Sequence, residues 1–145
     1  MQALADAITI EEFKPNHKPK VVLSWAPHPK ALPHAVGNSF TQMMKNMTAD
    51  FVIAHPEGYA LNPKITEGIE FTTDQEKALE DADFVYTKNW CSYDHYGQIL
   101  RTDDKWMITP EKMQLTNNGK FMHCLPIRRN IVAADGVLDL SLIHI

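Results

Sequence analysis

His123-Cys124-Leu125-Pro126 and Arg128-Arg129-Asn130 follow directly on the apolar pair Phe121-Met122. Polar chemistry at the end of a buried strand is costly, and it commonly marks a place where a ligand is held. The plainer alternative is a strand that ends in an ordinary proline turn with solvated arginines. Arg128 can fork two donors onto a carboxylate, a geometry lysine cannot reproduce. No partner that would lower the pKa of Cys124 is evident, so its thiol need not be a nucleophile. Three more polar groups stand in the same relation to an apolar run. His28 follows Val21–Trp25, His55 follows Asp50–Ala54, and Lys88 follows Ala82–Thr87.

Other chemistries lack their signatures. The first strand leads into Trp25-Ala26-Pro27-His28-Pro29 rather than a Gly-x-Gly-x-x-Gly turn. Two prolines remove backbone donors from a loop that would otherwise cradle a pyrophosphate, so no nucleotide cofactor is expected. The 7 histidines are scattered and Cys91 and Cys124 have no metal-ligand spacing, so no metal is expected either.

The elements that must position these groups alternate in type. Gln2–Phe13 reads as an amphipathic helix, with Leu4, Ile8 and Phe13 near one face and Glu11-Glu12 on the other. Lys14–Lys20 is a proline-broken connector. Val21–Trp25 is a short continuous apolar strand of the kind buried in parallel sheets. Asn38–Met47 carries Phe40, Met43, Met44 and Met47 at helical spacing, read as core filler. Strands are expected at Asp50–Ala54, Gly68–Thr72, Ala82–Thr87 and Phe121–Cys124. A helix capped by Thr73 or Asp74 turns Ala78, Leu79 and Ala82 inward. A short helix spans Pro110–Leu115, with Thr109 as its cap and Pro110 at its first position. This order implies an α/β fold: a doubly wound, mostly parallel, Rossmann-like sheet flanked by helices. Such sheets bind ligands beyond the carboxyl ends of their strands, where His28, His55, Lys88 and His123 all fall.

Composition bounds the class. The 145 residues suffice for one domain with a core, and 44% hydrophobic with 22% charged residues is ordinary for a globular chain. A net charge of −4 argues against a nucleic-acid surface. No apolar run approaches the roughly 18 residues of a membrane span. The start has no basic n-region of a secretory signal. With two thiols and no disulfide framework, a cytoplasmic location is expected.

Taken in order, the motifs resemble one family. His123-Cys124-Leu125-Pro126 with Arg128 is similar to the signature of the transcarbamylases, in their amino-acid-binding domain. Gln2-Ala3-Leu4-Ala5-Asp6 resembles the tail of the His-Pro-x-Gln-x-Leu-Ala-Asp segment that closes their carbamoyl-phosphate domain. Trp25–Pro29, Asn38-Ser39-Phe40, His55-Pro56-Glu57-Gly58 and Lys88-Asn89-Trp90 resemble the branch that carbamoylates N-acetyl- or N-succinylornithine, in arginine biosynthesis. The likeness runs from Gln2 to Leu138.

The resemblance implies roles residue by residue. Arg128 and His28 would hold the amino-acid substrate, His28 at its acyl end. Cys124 and Leu125 would line the carbamoyl group through backbone carbonyls, and Gln2 would touch the carbamoyl nitrogen. Lys88 stands where ornithine transcarbamylases carry the Asp of an Asp-x-Trp motif, which meets a free α-ammonium group. A lysine there repels that ammonium by several kcal/mol in a dry site and favours an acyl oxygen or a carboxylate. The alternative is a lysine snorkelling to water. His17, His34 and His95 are expected at the surface, and Arg129 has no assigned role. The resemblance also implies a homotrimer, no cofactor, and two small-molecule substrates, carbamoyl phosphate and an N-acylornithine. Acetyl-type members carry a lysine where this chain has Val132, so succinyl is favoured.

The family's phosphate-binding loop has no counterpart here. The chain is therefore expected to be a fragment: residues 1–13 a linker helix, 14–140 the ornithine-binding domain, 141–145 an unmatched tail. Its isolated activity is expected to be nil. A non-catalytic amino-acid-binding module and ornithine carbamoyltransferase proper remain as alternatives, and a nucleotide-binding Rossmann-type domain is disfavoured by the missing glycines.

Overall fold

A computed structural model describes residues 2–28, 30, 32–92, 105–123 and 129–140. Eleven elements follow in order: α1 (Gln2–Phe13), β1 (Lys20–Trp25), α2 (Ala35–Lys45), β2 (Asp50–Ala54), α3 (Pro63–Thr66), β3 (Glu70–Thr72), α4 (Gln75–Leu79), β4 (Phe84–Lys88), α5 (Pro110–Met113), β5 (Lys120–Met122) and α6 (Asp135–Leu140). The five strands form one sheet in the order β3-β2-β1-β4-β5, and every pairing is parallel. The doubly wound α/β reading stands.

The central strands are apolar because both of their faces are covered. Val21, Val22, Leu23, Val85 and Tyr86 are fully buried. Phe40 of α2 stacks on Tyr86 with ring centroids 4.2 Å apart. Met44 is buried beside it and Met43 and Met47 pack at the margin, so the methionine stripe is core. Asp74, rather than Thr73, caps α4 by accepting from Lys77 N–H at 3.1 Å. Thr109 caps α5 in the same way, accepting from Lys112 N–H at 3.3 Å. Gly119 is obligatory before β5: a Cβ there would lie 2.8 Å from the Ala82 carbonyl oxygen.

One helix has the expected bounds and the opposite face. In α1 the three apolar residues of the expected stripe are outside, with Leu4 and Ile8 52% exposed and Phe13 47% exposed. Asp6, Ala7, Thr9 and Ile10 are buried instead. α1 packs on α2, and its buried residues are mostly small or polar. Periodicity located a stripe; only the neighbouring helix decided which stripe.

At the amino ends of the strands, buried Asp83 ties three segments together. Its carboxylate accepts from Lys20 N–H at 2.8 Å and from Asn117 Nδ2 at 3.2 Å, and His17 Nε2 lies 3.2 Å away. His17 is at the surface as expected. His34 is not: it is only 6% exposed. This lock leaves the carboxyl ends, on the other side of the sheet, for the candidate site.

Candidate functional site

In a sheet of order β3-β2-β1-β4-β5, the direction of winding reverses between β1 and β4. In open α/β sheets ligands bind beyond the carboxyl ends of the strands at such a switch point. β1 delivers Ala26-Pro27-His28 to it and β4 delivers Lys88-Asn89-Trp90. Trp25 and Lys88 are register partners, so the two turns start side by side.

Hydrogen bonds between the turns set their geometry. Ala26 N–H donates to the Lys88 carbonyl at 3.1 Å, and Asn89 Nδ2 donates to the Ala26 carbonyl at 2.7 Å. Trp25 Nε1 donates to the Trp90 carbonyl at 2.7 Å, and Trp90 Nε1 donates to the Tyr59 carbonyl at 2.6 Å. The Trp25 ring packs on Tyr59 and Trp106, with centroids 4.7 and 6.5 Å away. Cys91 N–H donates to Leu32 at 2.9 Å, and His34 Nε2 donates to the Cys91 carbonyl at 2.6 Å. That bond is why His34 is buried: it closes the segment before α2 onto the turn after β4. Tyr59 in turn is placed by a tight turn in which its N–H donates to the Pro56 carbonyl at 3.1 Å. Gly58 takes φ +87 at that turn's third position, which a side chain would strain.

A second network, invisible in the sequence, braces the opposite face. Gln75 is 6% exposed. Its Nε2 donates to Ser24 Oγ at 2.8 Å and to the Trp106 carbonyl at 3.0 Å. Its Oε1 accepts from Lys112 Nζ at 2.6 Å, and the same ammonium donates to the Lys105 and Met107 carbonyls. Through Gln75, the lysine ties the 105–107 segment to Ser24 of β1.

The expected site residues divide into those the structure brings together and those it does not describe. Lys88 and His28 lie on facing turns, both half-buried. Among the described residues the Lys88 ammonium has no hydrogen-bond or ion-pair partner. His28 Nδ1 accepts from Lys30 N–H at 3.0 Å, closer than the Lys30 carbonyl at 3.3 Å. An N–H can only donate, so the imidazole proton belongs on Nε2. His123 is 3% exposed at the end of β5. Cys124, Leu125 and Arg128 lie outside the described residues, as does His95; Gln2 is within α1 and its side chain is not described. Arg129 is exposed and donates to Asp135 Oδ1 at 3.0 Å. That hydrogen bond, with another from Asn130, holds the Asp135 carboxyl below its ordinary value. Val132 is a core residue, 2% exposed.

His55, at the end of β2, stacks on Phe71 with centroids 5.8 Å apart and donates from Nδ1 to the Pro56 carbonyl at 2.8 Å. Burial pushes its pKa below the usual 6.5, partly offset by that hydrogen bond. The folded state thus binds the proton less readily than the unfolded chain. Stability is expected to fall as pH drops below about 6.5 and to level off once pH is below the lowered folded value. Melting of wild type and His55→Gln across about pH 5 to 8 checks this: the acid-side loss should be smaller in the variant. Parallel curves would show that His55 titrates normally.

An ammonium with no partner among the described residues, a histidine donor and three tryptophans thus stand at the carboxyl ends of the strands. Comparison with known proteins shows the family. The family model for the Asp/Orn-binding domain of aspartate/ornithine carbamoyltransferases matches residues 34–144. The chain belongs to this family. It is 52% identical over 141 residues to the N-succinylornithine carbamoyltransferase of Bacteroides fragilis, covering 96% of this chain and 44% of that protein. It is 33% identical over 159 residues to the N-acetylornithine carbamoyltransferase of Xanthomonas campestris pv. campestris, covering 95% and 47%. A crystal structure of N-acetyl-L-ornithine transcarbamylase superposes with a TM-score of 0.86 at 32% identity, over 98% of this chain and 50% of that one. An acetylornithine transcarbamylase solved with acetylcitrulline gives 0.85 at 31% identity. The chain spans about half the length of these relatives.

Proposed function

We propose that the chain is the amino-acid-binding half of a carbamoyltransferase that carries the carbamoyl group of carbamoyl phosphate to the δ-amine of an N-acylornithine, N-succinylornithine in preference to N-acetylornithine. Residues 14–140 form the domain that holds the acylated amino acid, and α1 links it to a carbamoyl-phosphate domain. The observation that carries this reading is Lys88: a half-buried ammonium at the switch point with no partner among the described residues. Such a cation is costly unless a ligand's anion or carbonyl completes it. It also disfavours a free α-ammonium group, so the substrate's α-nitrogen is acylated and neutral.

The chemistry then needs little from this half beyond placement. Lys88 and Arg128 hold the substrate's anionic groups and His28 Nε2–H meets its acyl end. The neutral δ-amine is directed at the carbamoyl carbon, which Cys124, Leu125 and Gln2 flank. The amine's lone pair forms the new C–N bond, and the tetrahedral intermediate collapses with loss of phosphate. The amine proton leaves with solvent or with the departing phosphate. Holding two substrates in line in this way supplies much of the rate of such reactions. No cofactor takes part. A homotrimer in the cytoplasm, serving arginine biosynthesis, is the setting we propose. Among the described residues no helix is long and apolar enough to cross a membrane.

Steady-state carbamoylation of N-succinylornithine, N-acetylornithine and ornithine by the full-length enzyme tests this. The succinyl substrate should have the highest kcat/KM and ornithine the lowest. Preference for ornithine would overturn the role of Lys88. The 145-residue chain alone should show no sustained turnover.

A further inference from the structure

Asn89 stands next to Lys88 on the same turn, and the residue is 4% exposed. Its Nδ2 donates to the Ala26 carbonyl at 2.7 Å. A carbonyl oxygen only accepts, so this bond fixes which end of the carboxamide is nitrogen. The other end, Oδ1, is buried and has no hydrogen-bond partner among the described residues. Leaving such an acceptor dry and unpaired costs about 1–3 kcal/mol. Native proteins rarely carry that cost without a use for it. The place suggests the use. Because Nδ2 is bonded to Ala26, the carboxamide lies across the seam between the two turns of the switch point. Those are the turns that bear His28 and Lys88.

We propose that Asn89 Oδ1 accepts the N–H of the substrate's acylated α-nitrogen, and so acts as a specificity residue. This rests on the function proposed above and deepens it. The chemistry of the pair narrows the ligand. Oδ1 is an acceptor, so it rejects carboxylate, phosphate and carbonyl oxygens and rewards a donor. An ammonium is also a donor, but it would bring a positive charge beside the Lys88 cation. An amide N–H satisfies both residues, because it donates and carries no charge. Lys88 therefore selects against charge at the α-nitrogen, and Asn89 selects for a hydrogen on it. An α-nitrogen acylated once is the group that meets both conditions.

The test is a substrate with the donor deleted. In 2-succinyloxy-5-aminopentanoate an ester oxygen replaces the amide N–H of N-succinylornithine, with little change of shape. For the wild-type full-length enzyme, the ester should lower kcat/KM by about 10-fold or more, since a buried acceptor is left facing an oxygen. In Asn89→Ala there is no acceptor to disappoint, and the amide-to-ester ratio should shrink to within about twofold. If Asn89 only ties the turn to Ala26, the alanine variant will slow both substrates alike and the ratio will persist. That result overturns the proposal. So does a wild-type enzyme that uses amide and ester equally, a comparison that stands even if the alanine variant fails to fold. An enzyme that carbamoylates neither compound is a different failure: it refutes the proposed function itself.

Discussion

Arg128→Ala in the full-length enzyme is expected to lower kcat/KM for N-succinylornithine by roughly 30-fold or more, while Arg129→Ala changes it within about twofold. The two arginines are neighbours, so the contrast tests placement rather than charge. Arg129 is already accounted for: it is exposed and donates to Asp135 at 3.0 Å. Asn130 completes that corner, with its Oδ1 accepting from Asp135 N–H at 3.0 Å and its Nδ2 donating to Asp135 Oδ2 at 3.2 Å. Removing Arg129 loosens a solvated contact. Arg128 is the residue proposed to take the substrate carboxylate. Truncating one member of a charge-assisted pair in a partly buried site costs about 2–5 kcal/mol, much of it from the carboxylate left behind. Circular dichroism and melting of both variants separate this from misfolding. A well-folded Arg129→Ala that is the worse of the two would move the substrate carboxylate to Arg129 and break the convergence with Lys88 and His28.

The strands were legible because burial on both faces makes them plain apolar runs. Lys20–Trp25, Asp50–Ala54 and Phe84–Lys88 lie within about two residues of where Val21–Trp25, Asp50–Ala54 and Ala82–Thr87 were expected. Their carboxyl ends were legible too, since each run stops at a polar group. Two short helices, α4 and α5, were legible from their caps rather than from a period; α3 and α6 were not. Asn62 caps α3 by accepting from Lys64 N–H at 3.0 Å, with Pro63 in the first turn, yet four residues are too few to show a period. The Asp135–Leu140 helix was missed for the same reason. The face of α1 failed on a different ground, because ranking Leu4, Ile8 and Phe13 by hydrophobicity ignores which face α2 covers. The least legible features are bonds across long sequence separations. Nothing local distinguishes His34, which bonds a carbonyl 57 residues away, from a surface histidine. Gln75 likewise gains its role only when Ser24, Trp106 and Lys112 arrive from three other segments. Lys88 is intermediate. Its position at a strand end can be read directly, but its lack of a partner required the folded surroundings.

Lys88→Asp should have the largest effect on substrate choice. On the proposed function, the wild-type ammonium attracts the substrate's carboxylate or acyl oxygen and repels an α-ammonium. The substitution reverses both signs at once. At about 4 Å and an effective dielectric of 20, one unit pair is worth about 4 kcal/mol. Lys88 is half-buried, so solvent screens part of that. A loss of about 3 kcal/mol, more than 100-fold in kcat/KM for N-succinylornithine, is the expected scale. Lys88→Met keeps most of the stem and drops the charge. It should fall between wild type and the aspartate variant, which separates electrostatics from packing. Raising the salt concentration should narrow the gaps among the three enzymes if the site is open to ions. Ornithine supplies the complementary measurement. Its kcat/KM should rise or hold in Lys88→Asp while that of the acylated substrate collapses, so the selectivity ratio moves even if the absolute ornithine rate stays low. Asn89 does not oppose that rise, since its Oδ1 can accept from an ammonium as readily as from an amide; the expected limit is the proposed acyl subsite, which ornithine leaves unfilled. If Lys88→Asp leaves kcat/KM for the acylated substrate unchanged, the lysine turns to solvent during catalysis. The discrimination against ornithine must then come from elsewhere in the crevice.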